Sequence, residues 1–211
     1  MNHDLLQDPC EHFFSEENRK RLVDDGLLII ENALPGSLIK NLGQDCLSLW
    51  SHKQFKRAGV GQAKDHQVNA AIRSDSIYWW DPLAVSGVQQ RFWRFIQGLC
   101  LQLNQHFFMG LQEAEFHYAV YPKGAFYGRH MDQFRGNNLR KISIVLFLNK
   151  TWLKADGGHL RLYEEAPLLG YQDIRPTGGG LALFCSDRVL HEVLPTFKQR
   201  LSLTGWLKTR V

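Results

Sequence analysis

The 211-residue chain holds a histidine and an aspartate at a separation suited to sharing one metal ion. In the stretch Tyr121-Pro-Lys-Gly-Ala-Phe-Tyr-Gly-Arg-His-Met-Asp132, an extended backbone would put His130 and Asp132 on the same side of one strand, because side chains alternate with a period of two. A chain with nine histidines shows a His-x-Asp by accident about one time in two, so the pair alone decides nothing. A third candidate lies far along the chain: His191 in Leu-His-Glu-Val-Leu-Pro, with Arg200 opening Arg-Leu-Ser-Leu-Thr-Gly-Trp soon after.

Two histidines and a carboxylate make a facial set on a divalent metal. Such a set leaves positions open for a chelating cosubstrate and O2, the arrangement of non-haem Fe(II) chemistry. The remaining histidines, His3, His12, His52, His66, His106, His117 and His159, have no carboxylate at ligand spacing and read as surface or core residues.

Ligands so far apart in sequence must be gathered by a sheet. Residues 16–25 read as a short polar helix ending at Gly26, 27–30 as a strand, and Pro35 as the start of a helix with Leu38, Leu42, Cys46, Leu49 and Trp50 on one face. Aromatic and β-branched content favours a strand over 72–80. A second helix is expected with Asp81 as N-cap and Pro82 in first position; Val88, Phe92, Phe95, Leu99 and Leu103 form its apolar face, and it stops before Gly110. Strands follow at 115–121, 141–149, 160–163, 181–185 and 201–207, with Gly178-Gly179-Gly180 as a tight turn. Helices first and strands afterwards exclude an alternating parallel sheet. They predict a mostly β, α+β fold: a jelly-roll or cupin-like barrel supported by N-terminal helices, with a metal in its mouth.

At 44% hydrophobic and 12% aromatic, the chain can bury a full core as one domain, 1–211. The N-terminus lacks a basic flank followed by an apolar run, and no stretch reaches membrane-spanning length, so a soluble, cytoplasmic protein is expected. Cys10, Cys46, Cys100 and Cys185 show no paired spacing and read as small apolar side chains. Segment 53–73, with Lys53, Lys56, Arg57, Lys64 and Arg73 against Asp65, carries a surplus equal to the whole net charge of +4. It reads as a loop that meets either an acidic partner or solvent alone.

The order of several short motifs resembles the 2-oxoglutarate and Fe(II)-dependent dioxygenases, and among them the oxygen-sensing prolyl hydroxylases and their bacterial counterparts. The motifs are Tyr-Pro at 121–122, Tyr-Gly-Arg-His-Met-Asp at 127–132, Leu-Phe-Leu-Asn-Lys at 146–150 and Gly-Gly-His-Leu-Arg-Leu at 157–162. Ser-Asp-Arg at 186–188, His-Glu-Val at 191–193 and Arg-Leu-Ser-Leu-Thr-Gly-Trp at 200–206 complete them. A weaker match, Ile-Arg-Ser-Asp at 72–75, resembles the end of a mobile finger loop. The resemblance implies a double-stranded β-helix over 111–211, with 1–110 as helical support and finger loop.

It also implies that His130, Asp132 and His191 bind Fe(II), with 2-oxoglutarate and O2 as cosubstrates and ascorbate as reductant. Arg200 would hold the distal carboxylate of 2-oxoglutarate, a bidentate match that lysine lacks. Thr204, on the same face, would add a hydroxyl donor, and Tyr121 a hydrogen bond. Phe147 departs from the pattern, standing where the animal enzymes carry a tyrosine donor to the cosubstrate. For the substrate, Tyr127 and Trp206 would wall a prolyl pocket, and Asp75 would pair with Arg140 to tie the finger loop down.

The implied activity is hydroxylation of a prolyl residue on an exposed protein loop, with a translation factor such as elongation factor Tu as a first candidate. Two alternatives compete. Nucleic-acid demethylation by the same iron chemistry would call for a further arginine and an asparagine in the strand after Arg200, where this chain reads Leu-Ser-Leu-Thr-Gly-Trp. A cupin-like sensor would keep the metal without turnover.

Overall fold

The computed structural model describes residues 10–59, 69–133, 138–164 and 170–210. Its elements, in order, are α1 (Glu16–Asp24), β1 (Leu27–Ile30), α2 (Gly36–Ser51), β2 (Lys56–Arg57), β3 (Ser76–Trp79), α3 (Gly87–Phe107), β4 (Glu113–Tyr121), β5 (Tyr127–His130), β6 (Arg140–Phe147), β7 (Leu160–Tyr163), β8 (Tyr171–Ile174), β9 (Leu181–Cys185), β10 (His191–Val193) and β11 (Arg200–Lys208). His3, His66, Lys64 and Asp65 lie outside the described residues.

Two antiparallel sheets face one another. The larger has the order β1-β9-β6-β11-β4-β3-β2 and the smaller β5-β10-β7-β8, the double-stranded β-helix expected. Strands β1, β2 and β3 come from before residue 110, so the sheet is not confined to 111–211. Among the described residues no helix is long and apolar enough to cross a membrane.

The central strands are buried on both faces, which explains their near-continuous apolar runs. Alternation divides the work. Phe116, Tyr118 and Val120 of β4, Ile142, Ile144 and Leu146 of β6, and Leu201, Leu203 and Leu207 of β11 join the core with Leu38, Leu42 and Cys46 of α2 and Phe92, Ile96, Leu99 and Leu103 of α3. The intervening residues Ala119, Tyr121, Val145 and Phe147 pack instead with Leu160, Leu162 and Val193 of the smaller sheet. One face of each strand therefore holds the helices while the other builds the space between the sheets.

Three sequence expectations need correction. Helix α3 begins at Gly87, because Ser86 and Gln89 form a reciprocal capping box (Gln89 N–H to Ser86 Oγ 3.4 Å, Ser86 N–H to Gln89 Oε1 3.2 Å) that satisfies two backbone donors. Asp81 caps a tight turn instead, accepting from Leu83 N–H at 2.9 Å. Strand β3 is shorter than 72–80, since Asn69 turns the chain by accepting from the N–H groups of Ala71, Ile72 and Arg73. β5, β8 and β10, with three or four residues each, are too short to show a period in the sequence.

A half-buried polar contact joins the layers: Asp45 Oδ2 of α2 accepts from Tyr118 Oη of β4 at 2.8 Å and from Gln89 Nε2 of α3 at 2.9 Å. Asp45→Ala would orphan both donors, which Tyr118→Phe does not. In urea unfolding Asp45→Ala should therefore lose about 1–3 kcal/mol and Tyr118→Phe distinctly less; equal losses would contradict the shared-acceptor reading.

Candidate active site

Strand register makes the metal set. His130 ends β5, His191 begins β10, and the two are direct partners across the antiparallel ladder, with ring centroids 4.1 Å apart. Each Nδ1 lies against a carbonyl two residues back, Gly128 O at 2.8 Å and Val189 O at 3.0 Å. A carbonyl only accepts, so each Nδ1 carries a proton, and in the neutral ring Nε2 keeps its lone pair for a cation. Asp132 Oδ1 is 3.5 Å from His130 Nε2, and its Oδ2 is 3.6 Å from His191 Nε2. The three ligand atoms lie within 4.8 Å of one another, and among the described residues no other group of this kind occurs.

The electrostatics suit a cation. Burial pushes His191 down to about 4, helped by His130 and opposed by Asp132, which keeps the imidazole neutral. Burial works against the charged form of Asp132, but His191 and His130 outweigh it and hold the carboxyl below the usual range. Two imidazole nitrogens and a carboxylate are the donor set a divalent ion requires.

Behind the set lies a cavity of about 340 Å³, lined by the three ligands together with Tyr121, Tyr127, Arg140, Arg200, Ser202, Thr204 and Trp206. Arg200 is 1% exposed. Its Nε donates to Gly158 O at 2.9 Å and its Nη1 to Ser202 Oγ at 3.3 Å, while Nη2 has no partner. Its guanidinium carbon stands 4.8 Å from the Tyr121 ring and 5.6 Å from Phe147. Gly158 makes room for it: φ is +62°, and a Cβ there would meet Thr196 Oγ1 at 2.9 Å and Arg200 Cδ at 3.1 Å.

No acidic residue pairs with Arg200 among the described residues, although a buried, unpaired cation is costly. An open guanidinium donor beside a three-donor metal set fits a small dicarboxylate that also chelates the metal. The residues present therefore fit both Fe(II) and 2-oxoglutarate.

The other expected residues surround this centre. Tyr127 stacks on His130 at 3.6 Å, and the Arg73 guanidinium lies over the Tyr127 ring at 3.9 Å. Trp206 lies under Arg140 at 3.5 Å. Thr204 is half-buried and shares the inward face with Arg200, but it is Ser202, between them, that bonds the guanidinium.

The expected Asp75–Arg140 pair is not the one formed. Asp75 takes a bidentate bond from Arg73, with Nε at 2.8 Å and Nη2 at 2.7 Å, and Arg140 binds Glu115 at 2.8 Å. Positions 73 and 75 share one side of an extended segment, so the nearer guanidinium saturates both oxygens. Arg73, read only as part of the basic segment, Ser202, not singled out, and His117, read as surface or core, were not expected at the site. Alternation with Asp75 and Arg200 could have flagged the first two, whereas His117 carried no signal. The Ser-Asp-Arg motif is structural: Ser186 bonds Ser143 at 2.8 Å, and Arg188 donates to the carbonyls of Val23 and Asp24 at the end of α1.

His117 lines the same cavity. Burial first, then Arg73 and Arg140, push its imidazole from 6.5 down to about 3 against a weaker pull from Asp132. The unfolded chain thus takes up a proton near pH 6.5 that the folded protein refuses. Stability must fall as pH drops below that point, by up to about 1.4 kcal/mol per pH unit for this group. Urea midpoints of the metal-free protein should decline from about pH 7 to about pH 5 and decline less in His117→Phe; parallel profiles would contradict the assignment.

Comparison with known proteins follows the same lines. A family model described as the 2OG-Fe(II) oxygenase superfamily matches residues 116–208. A Pseudomonas putida prolyl-4-hydroxylase structure superposes with a TM-score of 0.81 at 36% identity, covering 90% of this chain and 96% of that one. A Trichoplax adhaerens prolyl hydroxylase, in complex with a peptide fragment of the hypoxia inducible factor oxygen degradation domain, gives 0.75 at 27% identity, covering 99% and 94%. The Caenorhabditis elegans hypoxia-inducible factor prolyl hydroxylase is 28% identical over 204 residues, which span 92% of this chain but only 28% of that relative's length. The chain belongs to the 2OG-Fe(II) oxygenase superfamily, as a relative of its prolyl hydroxylases.

Proposed function

We propose that this protein hydroxylates a prolyl residue on an exposed loop of a protein substrate, using Fe(II), 2-oxoglutarate and O2, with ascorbate as reductant. The observation that carries the reading is the meeting, in one cavity, of the His130–Asp132–His191 set and the unpartnered Nη2 of Arg200. The chemistry supplied by the bound cofactors is oxidative decarboxylation of the keto acid to succinate and CO2, coupled to insertion of an oxygen atom into a C–H bond.

The chain's own part is placement. His130 and His191, locked by their carbonyl bonds, hold two donors rigid, and Tyr127 fixes the His130 ring by stacking. Arg200 orients the cosubstrate by its far carboxylate, with Tyr121 and Thr204 as further contacts. Asp132 supplies the one negative charge. Ile77, Val145, Leu160 and Val193 line the cavity with apolar surface, which excludes water and suits a pyrrolidine ring between Tyr127 and Trp206.

The Caenorhabditis elegans relative is a hypoxia-inducible factor prolyl hydroxylase and the Trichoplax adhaerens one holds a peptide of that factor; for this chain the apolar pocket beside the metal set supports a protein loop as substrate, with cytoplasmic elongation factor Tu as the first candidate by resemblance. Incubation with candidate proteins should release succinate in step with a +16 Da adduct on a proline-containing peptide. An adduct on a nucleobase, or none on any substrate while the metal binds, would overturn the assignment.

Phe147 allows a finer check. Its ring lies 5.6 Å from the Arg200 guanidinium and is fully buried, so a hydroxyl added there would reach the carboxylate-binding end of the cavity. Phe147→Tyr should tighten 2-oxoglutarate binding about fivefold by titration calorimetry with Mn(II). Unchanged or weaker binding would contradict the placement of the cosubstrate.

A further inference from the structure

Among the described residues, four buried side-chain nitrogens lack a hydrogen-bond partner: Trp80 Nε1, His117 Nδ1, Arg200 Nη2 and Trp206 Nε1. Folded proteins keep few such atoms, because each forfeits the hydrogen bond it had in water. Three of the four belong to residues lining the one cavity. The Arg200 nitrogen is accounted for by the cosubstrate carboxylate. The other two are not.

Trp206 stands towards the other end of β11 from Arg200, and His117 on the neighbouring strand β4. His117 of β4 is the direct partner of Thr204, and Trp206 follows two residues later. Trp206 is six residues along β11 from Arg200, roughly 20 Å of backbone, so a small dicarboxylate held at Arg200 cannot serve Trp206 as well. The His117 and Trp206 rings lie 5.5 Å apart, and Trp79, 46% exposed, stands 4.7 Å from His117. This end therefore faces the entrance, where substrate must arrive.

The chemistry of the two groups restricts what can satisfy them. An indole N–H only donates, whereas a neutral imidazole has one donor and one acceptor. The neighbouring cations do not call for a substrate carboxylate, since Arg73 is paired with Asp75 and Arg140 with Glu115. A pyrrolidine ring offers neither function, but the peptide bonds beside it offer both.

We infer that His117, with the indole N–H of Trp206, is a specificity-determining contact that hydrogen-bonds a main-chain amide of the substrate next to the reacting prolyl residue. The inference rests on the proposed function and adds to it a polar contact that distinguishes a polypeptide from a free ring compound.

The test uses full-length protein with Mn(II) and 2-oxoglutarate, and a single-proline peptide chosen from a synthetic array as a substrate of the parent enzyme. His117→Phe should weaken peptide binding about tenfold by fluorescence anisotropy while leaving the affinities for Mn(II) and 2-oxoglutarate unchanged. Its ligand-free melting temperature at neutral pH should hold or rise, because an unsatisfied buried nitrogen has gone. His117→Gln, whose amide both donates and accepts, should recover most of the peptide affinity.

Unchanged peptide binding in His117→Phe would overturn the inference and assign the two nitrogens to buried water. A parallel fall in peptide, metal and cosubstrate affinity would overturn it in favour of a structural role. A parent that turns over no proline-containing peptide would overturn the proposed function, and this inference with it.

Discussion

The pairing of His130 with His191 across β5 and β10 is the constraint on which the site depends. Side chains alternate along a strand, so a slip of one residue would turn one imidazole to the far side of the sheet and leave Asp132 beside a single histidine. The register has little of its own to hold it, since β10 is three residues long and its pairing with β5 is irregular after His191. It is held from outside by β7, which pairs with all of β10, and by Phe184 of the opposite sheet, whose ring stands 4.7 Å from His191.

β11 shows how one strand serves stability and chemistry together. Its outward residues Leu201, Leu203 and Leu207 pack under α2 and α3, and Arg200, Ser202, Thr204 and Trp206 face the cavity. Burial of the first set positions the second to within a hydrogen bond. The same burial leaves Arg200 short of a partner, a cost that a ligand can remove. The site is thus built incomplete, with the apolar core making up the stability that the unpaired guanidinium forfeits.

Much of this was legible in the sequence. The spacing of His130 and Asp132 and the apolar runs that became β1, β4, β6, β7, β9 and β11 follow from residue type and period, because β4, β6 and β11 are long and β1, β7 and β9 are dense in apolar residues. β5, β8 and β10 were not legible as strands: three or four residues cannot display a period, and β8 is largely exposed. The start of α3 was misplaced because Asp81-Pro82 and Ser86 are both plausible signals, and only the reciprocal Gln89 bond decides between them. Partner choice was least visible. Arg73 captures Asp75 through local geometry, and His117 looks like any core histidine until β3 and β11 bring Trp79 and Trp206 beside it, with Arg73 and Arg140 near.

The central claim is that one ferrous ion and one dicarboxylate complete a site whose donors are already aimed at them. A crystal structure grown anaerobically with Mn(II) and an oxalyl-type mimic of 2-oxoglutarate tests it most directly. The account predicts a single metal bonded to Nε2 of His130, Nε2 of His191 and the Asp132 carboxylate, with the far carboxylate of the mimic on Nη2 of Arg200. A metal bound elsewhere, or a guanidinium still lacking an anion, would contradict it.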